Sequence, residues 1–96
     1  MIKDQRVNDL CNRILQIGIN NKWDNHLTEP LQKNAASFAR LTDQGADSEA
    51  VALAASELEG SLMVCGSVQL AAMPDVTRLI DELYAIVEAY EQPSQA

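Results

Sequence analysis

The chain has 96 residues, of which 47% are apolar, and a formal net charge of −7. That length sets a single domain, and so apolar a composition excludes a disordered or low-complexity chain. The acidity argues against non-specific binding to nucleic acid or anionic lipid, because counterion release needs a basic surface.

The first predicted helix spans about residues 4–20. Val7, Leu10, Ile14 and Ile17 recur at helical spacing, and Cys11 and Leu15 widen the stripe to an arc of about 160°. Asn8, Asp9, Asn12, Arg13 and Gln16 fill the opposite side. Gly18 and the Asn20-Asn21 pair then offer a stop, since both residue types tolerate left-handed backbone. Trp23-Asp24-Asn25-His26 reads as the connection. The second helix is predicted over 29–43. Pro30 suits a first turn, where its missing N–H is no loss, and Leu31, Ala35, Phe38 and Leu41 form a narrower stripe. Gly45 supplies the left-handed residue that closes it.

The third helix is predicted over 47–72, with Asp47 as its cap and Glu49 in its first turn, where the helix dipole favours acid. Val51, Ala54, Ala55, Leu58, Leu62 and Cys65 hold helical spacing. Gly60 and Gly66 weigh against it, each costing ~1 kcal/mol relative to alanine inside a helix. A short strand through 62–70 is the competing reading, but the alanine-rich approach favours continuous helix. The fourth helix is predicted over 75–91, punctuated by Pro74-Asp75 and carrying Val76, Leu79, Ile80, Leu83, Ile86, Val87 and Tyr90. Gln92-Pro93-Ser94 ends it. Four helices joined by short loops predict one all-α domain, a four-helix bundle with up-down-up-down topology.

The residues that bear chemistry are sparse. His26 is the only histidine. A zinc site needs three or four ligands, so His26 reads as a solvated loop residue. Pro30, four residues on, breaks the geometry a phosphoryl-accepting histidine would need. Cys11 and Cys65 form no CxxC pair, are too few for a disulfide scaffold, and read as small buried hydrophobes. No phosphate loop, nucleophile elbow or HExxH pattern occurs. Asp81, Glu82 and Glu88 read as a solvated face, because the Glu-x-x-His of di-iron bundles is absent. The expectation is therefore a chain with no catalytic residue, metal or cofactor. No apolar run reaches a membrane span, and Lys3, Asp4, Arg6 and Asp9 interrupt any signal-peptide core, so a cytoplasmic location is expected.

Apolar surface is the stronger signal. No charged residue lies between Gly60 and Pro74, and Leu62, Met63, Val64, Val68, Leu70 and Met73 point in every direction around the helix. That is more apolar surface than a small bundle covers by itself, so part of it is expected to meet a partner. Tyr84 and Tyr90 are assigned to the same interface, as is Trp23, which is equally suited to capping the core. Charge is segregated as well. Residues 1–42 hold six cations against four acids, whereas residues 43–96 hold Arg78 against ten acids.

Together these features predict a non-catalytic interaction module. It would be a small inhibitor, an immunity or antitoxin-type factor, or an assembly or secretion chaperone. It would dock on a protein with an apolar groove or a basic surface, steered by its acidic half and without nucleic acid or membrane. The alternative is a self-associating subunit, a homodimer in its simplest form, and a third reading is a small-molecule sensor with a pocket between helices. Aspartate at Leu62 and Val68 is expected to abolish docking while helicity survives.

Overall fold

The computed structural model describes residues 4–91, and they form four helices: α1 (Gln5–Asn20), α2 (Asn25–Gln44), α3 (Ser48–Val68) and α4 (Met73–Glu91). A short 3-10 turn, Leu70–Ala72, precedes α4. Among the described residues there is no strand, and the chain runs helical through both Gly60 and Gly66. Aspartates start three of the helices. The carboxylates of Asp4, Asp24 and Asp47 accept backbone N–H groups of Arg6 (3.0 Å), His26 (2.8 Å) and Ala50 (2.9 Å), satisfying donors that a helix start leaves unpaired. Gly45, at φ 73°, closes α2. Its N–H donates to Thr42 O while Ala46 N–H donates to Leu41 O, the paired bonds of a Schellman stop.

Cross-helix contacts fix the topology. Tyr90 bonds Asp4, and Arg13 pairs with Glu82, so α1 and α4 run antiparallel. Thr28 lies against Gly18 and Ala35 O accepts from Cys11, which makes α1 and α2 antiparallel too. Asn34 reaches Glu57 O and Ser61 Oγ, and Tyr84 reaches Glu59 while Val76 and Met73 lie on Gly66. The bundle is up-down-up-down, each helix packing on its chain neighbours and α1 on α4. Phe38, Leu10, Ile14, Leu31, Leu58, Leu62 and Leu83 are its largest fully buried side chains, each worth ~1.5–3 kcal/mol of transfer free energy.

Three boundaries differ from the sequence reading by more than one residue: the starts of α2 and α4 and the end of α3. α2 begins at Asn25 rather than 29, because Asp24 caps it and Leu27 packs on the core. Pro30 therefore stands inside the helix, and the carbonyl it cannot serve belongs to exposed His26. α3 ends at Val68 rather than 72, because Gln69 turns extended (φ −130°, ψ 90°), and α4 then begins at Met73 with Pro74 in its first turn. The expected stop at Gln92-Pro93-Ser94 lies outside the described residues.

Candidate interaction surface

The up-down-up-down order brings the α1–α2 connection and the α3–α4 turn to the same end of the bundle, where polar side chains join them. Trp23 Nε1 donates to Gln69 Oε1 (2.7 Å), Gln69 Nε2 donates to Asn21 Oδ1 (3.0 Å), and Asn21 Nδ2 donates to Ile17 O (2.8 Å). Lys22, at φ 55°, makes the tight reversal that sets Trp23 over Gly18. The hydrogen bonds that Gln69 gives and takes hold this turn, and the residues on either side of it face out. Val68 is 66% exposed and Leu70 74%. One turn back, Val64 is 55% exposed and Met63 is also exposed, and no charge intervenes between Gly60 and Asp75.

The residues singled out from the sequence divide into two groups. Met63, Val64, Val68 and Leu70 form one exposed, uncharged surface along the C-terminal half of α3 and its turn. Leu62 is excluded from it: the side chain is 0% exposed and belongs to the core, because it continues the buried row of Leu58 and Cys65. Met73 is half-buried, its Sδ and Cε 2.8 Å from where a Cβ on Gly66 would stand. Trp23 is half-buried on the core beside the surface. Tyr84 is at the margin of exposure and its hydroxyl donates to Glu59 at 2.6 Å, which pushes its pKa up to about 12. Tyr90 lies at the opposite end, donating to Asp4 at 2.9 Å.

Sequence reasoning missed two contributors. Leu53 is 64% exposed, two turns before Gly60 on the same outward side of α3. Its signal was legible, since Leu53 lies off the stripe set by Val51, Ala54, Ala55 and Leu58. Ile19 is also exposed, and with Leu15 and Ala36 it lines a groove of about 540 Å³ between α1 and α2 that carries no charged residue. A second groove, of about 490 Å³ between α2 and α3, runs past Pro30, Asn34, Glu57, Gly60 and Val64.

Gly60 itself is exposed, and a Cβ placed there would meet nothing within 4 Å. Packing inside this chain therefore gives no reason for glycine at 60, in contrast to Gly66 under Met73.

The charge follows the long direction of the bundle. At the Trp23–Leu70 end Lys22 and Arg78 stand against Asp24, Glu29 and Asp75. At the other end Arg6 and Arg40 stand among Asp4, Asp43, Asp47, Glu49 and Glu88, so the apolar surface lies in the less acidic half.

Chemistry-bearing groups do not converge. Among the described residues no three His, Cys, Asp or Glu side chains stand close enough to hold a metal ion. Both cysteines are buried, and burial pushes the Cys11 thiol up to about 11 and Cys65 upward as well, away from the reactive thiolate. His26 is exposed at the start of α2. By length and composition α3 is apolar enough to cross a membrane, and in the bundle its Val51, Leu58, Leu62 and Cys65 are core. No protein-family model, curated protein or solved structure matches the chain.

Proposed function

We propose that this chain is a non-catalytic protein–protein interaction module that docks through the uncharged outer surface of α3 and the α3–α4 turn. The observation that carries this reading is the outward exposure of Val64, Val68 and Leu70 on a stretch without a charged residue. Contiguous apolar exposure of this kind marks interaction sites on small soluble domains. The classes this fits are small inhibitors, immunity or antitoxin-type factors, and assembly or secretion chaperones. Apolar contact supplies the affinity, while the acidic charge of residues 43–96 orients the approach. Self-association is the second reading, favoured by the open space at Gly60.

The test replaces Val68 and Leu70 together with aspartate and uses the tagged full chain as bait in an extract of its source cells. Both positions are exposed, so the helical circular dichroism should be unchanged while every specifically captured protein, including untagged copies of the chain, is lost. Capture that survives the double substitution overturns the reading.

A further inference from the structure

We propose that Met73 is an oxidation-sensitive pin of the α3–α4 turn: a hydroperoxide that converts its thioether to the sulfoxide releases the turn, and reduction restores it. The device belongs to this chain alone and does not rest on the interaction reading, although the turn it governs carries Val68 and Leu70. Met73 is the first residue of α4, directly after the Leu70–Ala72 turn, and its backbone N–H donates to Leu70 O. Its side chain folds back over α3. Sδ and Cε both lie 2.8 Å from the place of a Cβ on Gly66, closer than a real Cβ tolerates. Glycine at 66 therefore lets the sulfur rest directly on the α3 backbone, in space that any side chain there would fill. Val76, fully buried, stands 3.6 Å from the same place and closes the seam beside it. The chain between Gly66 and Met73, with extended Gln69 near its middle, is thus held at its two ends by one apolar contact.

The chemistry of that contact is what oxidation changes. Met73 is half-buried, so part of its side chain meets solvent and a hydroperoxide reaches the sulfur. A sulfur lone pair attacks the O–O bond. The S–O bond forms as the O–O bond breaks, the thioether loses two electrons, and hydrogen peroxide leaves as water. The product is polar and a strong hydrogen-bond acceptor. Its neighbours in the seam, a glycine inside a helix and a valine methyl, offer the new oxygen no side-chain donor. Close packing leaves no room for it either. The oxidised side chain turns out to water, uncovers Gly66 and frees the turn. Met63, 43% exposed, stands on the outer surface, where an added oxygen is hydrated and displaces nothing. A sulfoxide reductase supplied with a dithiol reverses the step: the dithiol becomes a disulfide, the oxygen leaves as water, and the thioether returns to Gly66.

The test titrates hydrogen peroxide onto the full chain and follows two readouts together. Peptide mass mapping gives the sulfoxide at each methionine and any oxidation of Cys11 or Cys65. Trp23 emission reports the turn, because it is the only tryptophan and its Nε1 donates to Gln69 Oε1. The emission should move to longer wavelength, and the urea midpoint should fall, in step with Met73 sulfoxide. Both should return on treatment with methionine sulfoxide reductases and dithiothreitol. Met63→Leu should respond as the parent does, and Met73→Leu should keep its emission maximum under the same peroxide. Leucine places a branch against Gly66. Should that variant fail to fold, the Met63→Leu chain decides, since Met73 is then the only methionine among the described residues. Met73 sulfoxide with an unmoved emission maximum and urea midpoint overturns the proposal. So does a Met73 that stays reduced once Met63 is fully oxidised, or a shift that persists in folded Met73→Leu or follows Met63 or a cysteine instead.

Discussion

The difference between Leu62 and Leu70 shows how far exposure, rather than residue type, decides the role of a side chain. Leu62→Ala should destabilise the fold by about 2–5 kcal/mol in urea titrations, the cost of a cavity in a packed core. Leu70→Asp should stay within about 0.5 kcal/mol of the parent, because Leu70 is exposed and contributes little to the protomer. Equal losses from the two substitutions would contradict this division. Aspartate at Leu62 is accordingly a probe of folding and not of docking. Asp4 gives a second residue-scale prediction. Its carboxylate accepts from the Arg6 side chain, the Arg6 backbone and the Tyr90 hydroxyl, which holds its pKa at about 2 against an ordinary 3.8. A depressed folded-state pKa contributes stability that is full above the ordinary value and is lost as pH falls from about 4 through 2. The Asp4→Asn variant should therefore lose less stability than the parent across that window, as read by urea midpoints at pH values above and below it.

At the scale of elements, the end of α3 shows what periodicity leaves out. Apolar spacing predicted all four helices and most of the core, because Val7, Leu10 and Ile14, or Val76, Leu79 and Leu83, carry the period locally. The stop at Gln69 was not legible, since the side chain that holds it there is bonded to Trp23 and Asn21, nearly fifty positions away in sequence. Pro30 misled for a related reason: proline marks a first turn by preference, but a strong cap at Asp24 and core contact at Leu27 carried the helix past it. Of the expected surface, Met63, Val64, Val68 and Leu70 were legible as an uncharged run. Which members of that run face inward depends on how α3 is rotated against α2 and α4, and a single helix does not specify that. Gln69→Ala should cost about 1–3 kcal/mol, leaving the Trp23 N–H without its partner. It should also shift Trp23 fluorescence to longer wavelength as the joined connections loosen; an unchanged emission maximum would mean Gln69 does not hold this turn.

For the whole molecule, the segregation of charge by sequence half becomes a gradient along the bundle only after folding. The antiparallel order places Glu88 at the same end as Asp43, Asp47 and Glu49, although it is far from those three in sequence. Adding the acids of residues 43–96 gives their sum but not that placement. It also puts the uncharged outer surface of α3 and its turn in the less acidic half of the molecule.

The neighbour-on-neighbour packing has a kinetic consequence. Three of the four helix pairs, α1 with α2, α2 with α3 and α3 with α4, are joined by short connections, so most of the core can assemble from nearby segments, the condition for rapid folding. The α1–α4 seam alone must wait for the ends of the chain to find each other, Asp4 and Tyr90 being 86 positions apart. Of its polar ties, Arg13 to Glu82 lies toward solvent and holds weakly, and Asp4 to Tyr90 is a single part-buried hydrogen bond. The last pair of helices to close is thus the first through which the barrel of side chains opens, and local unfolding should begin there while the α2–α3 hairpin is still intact.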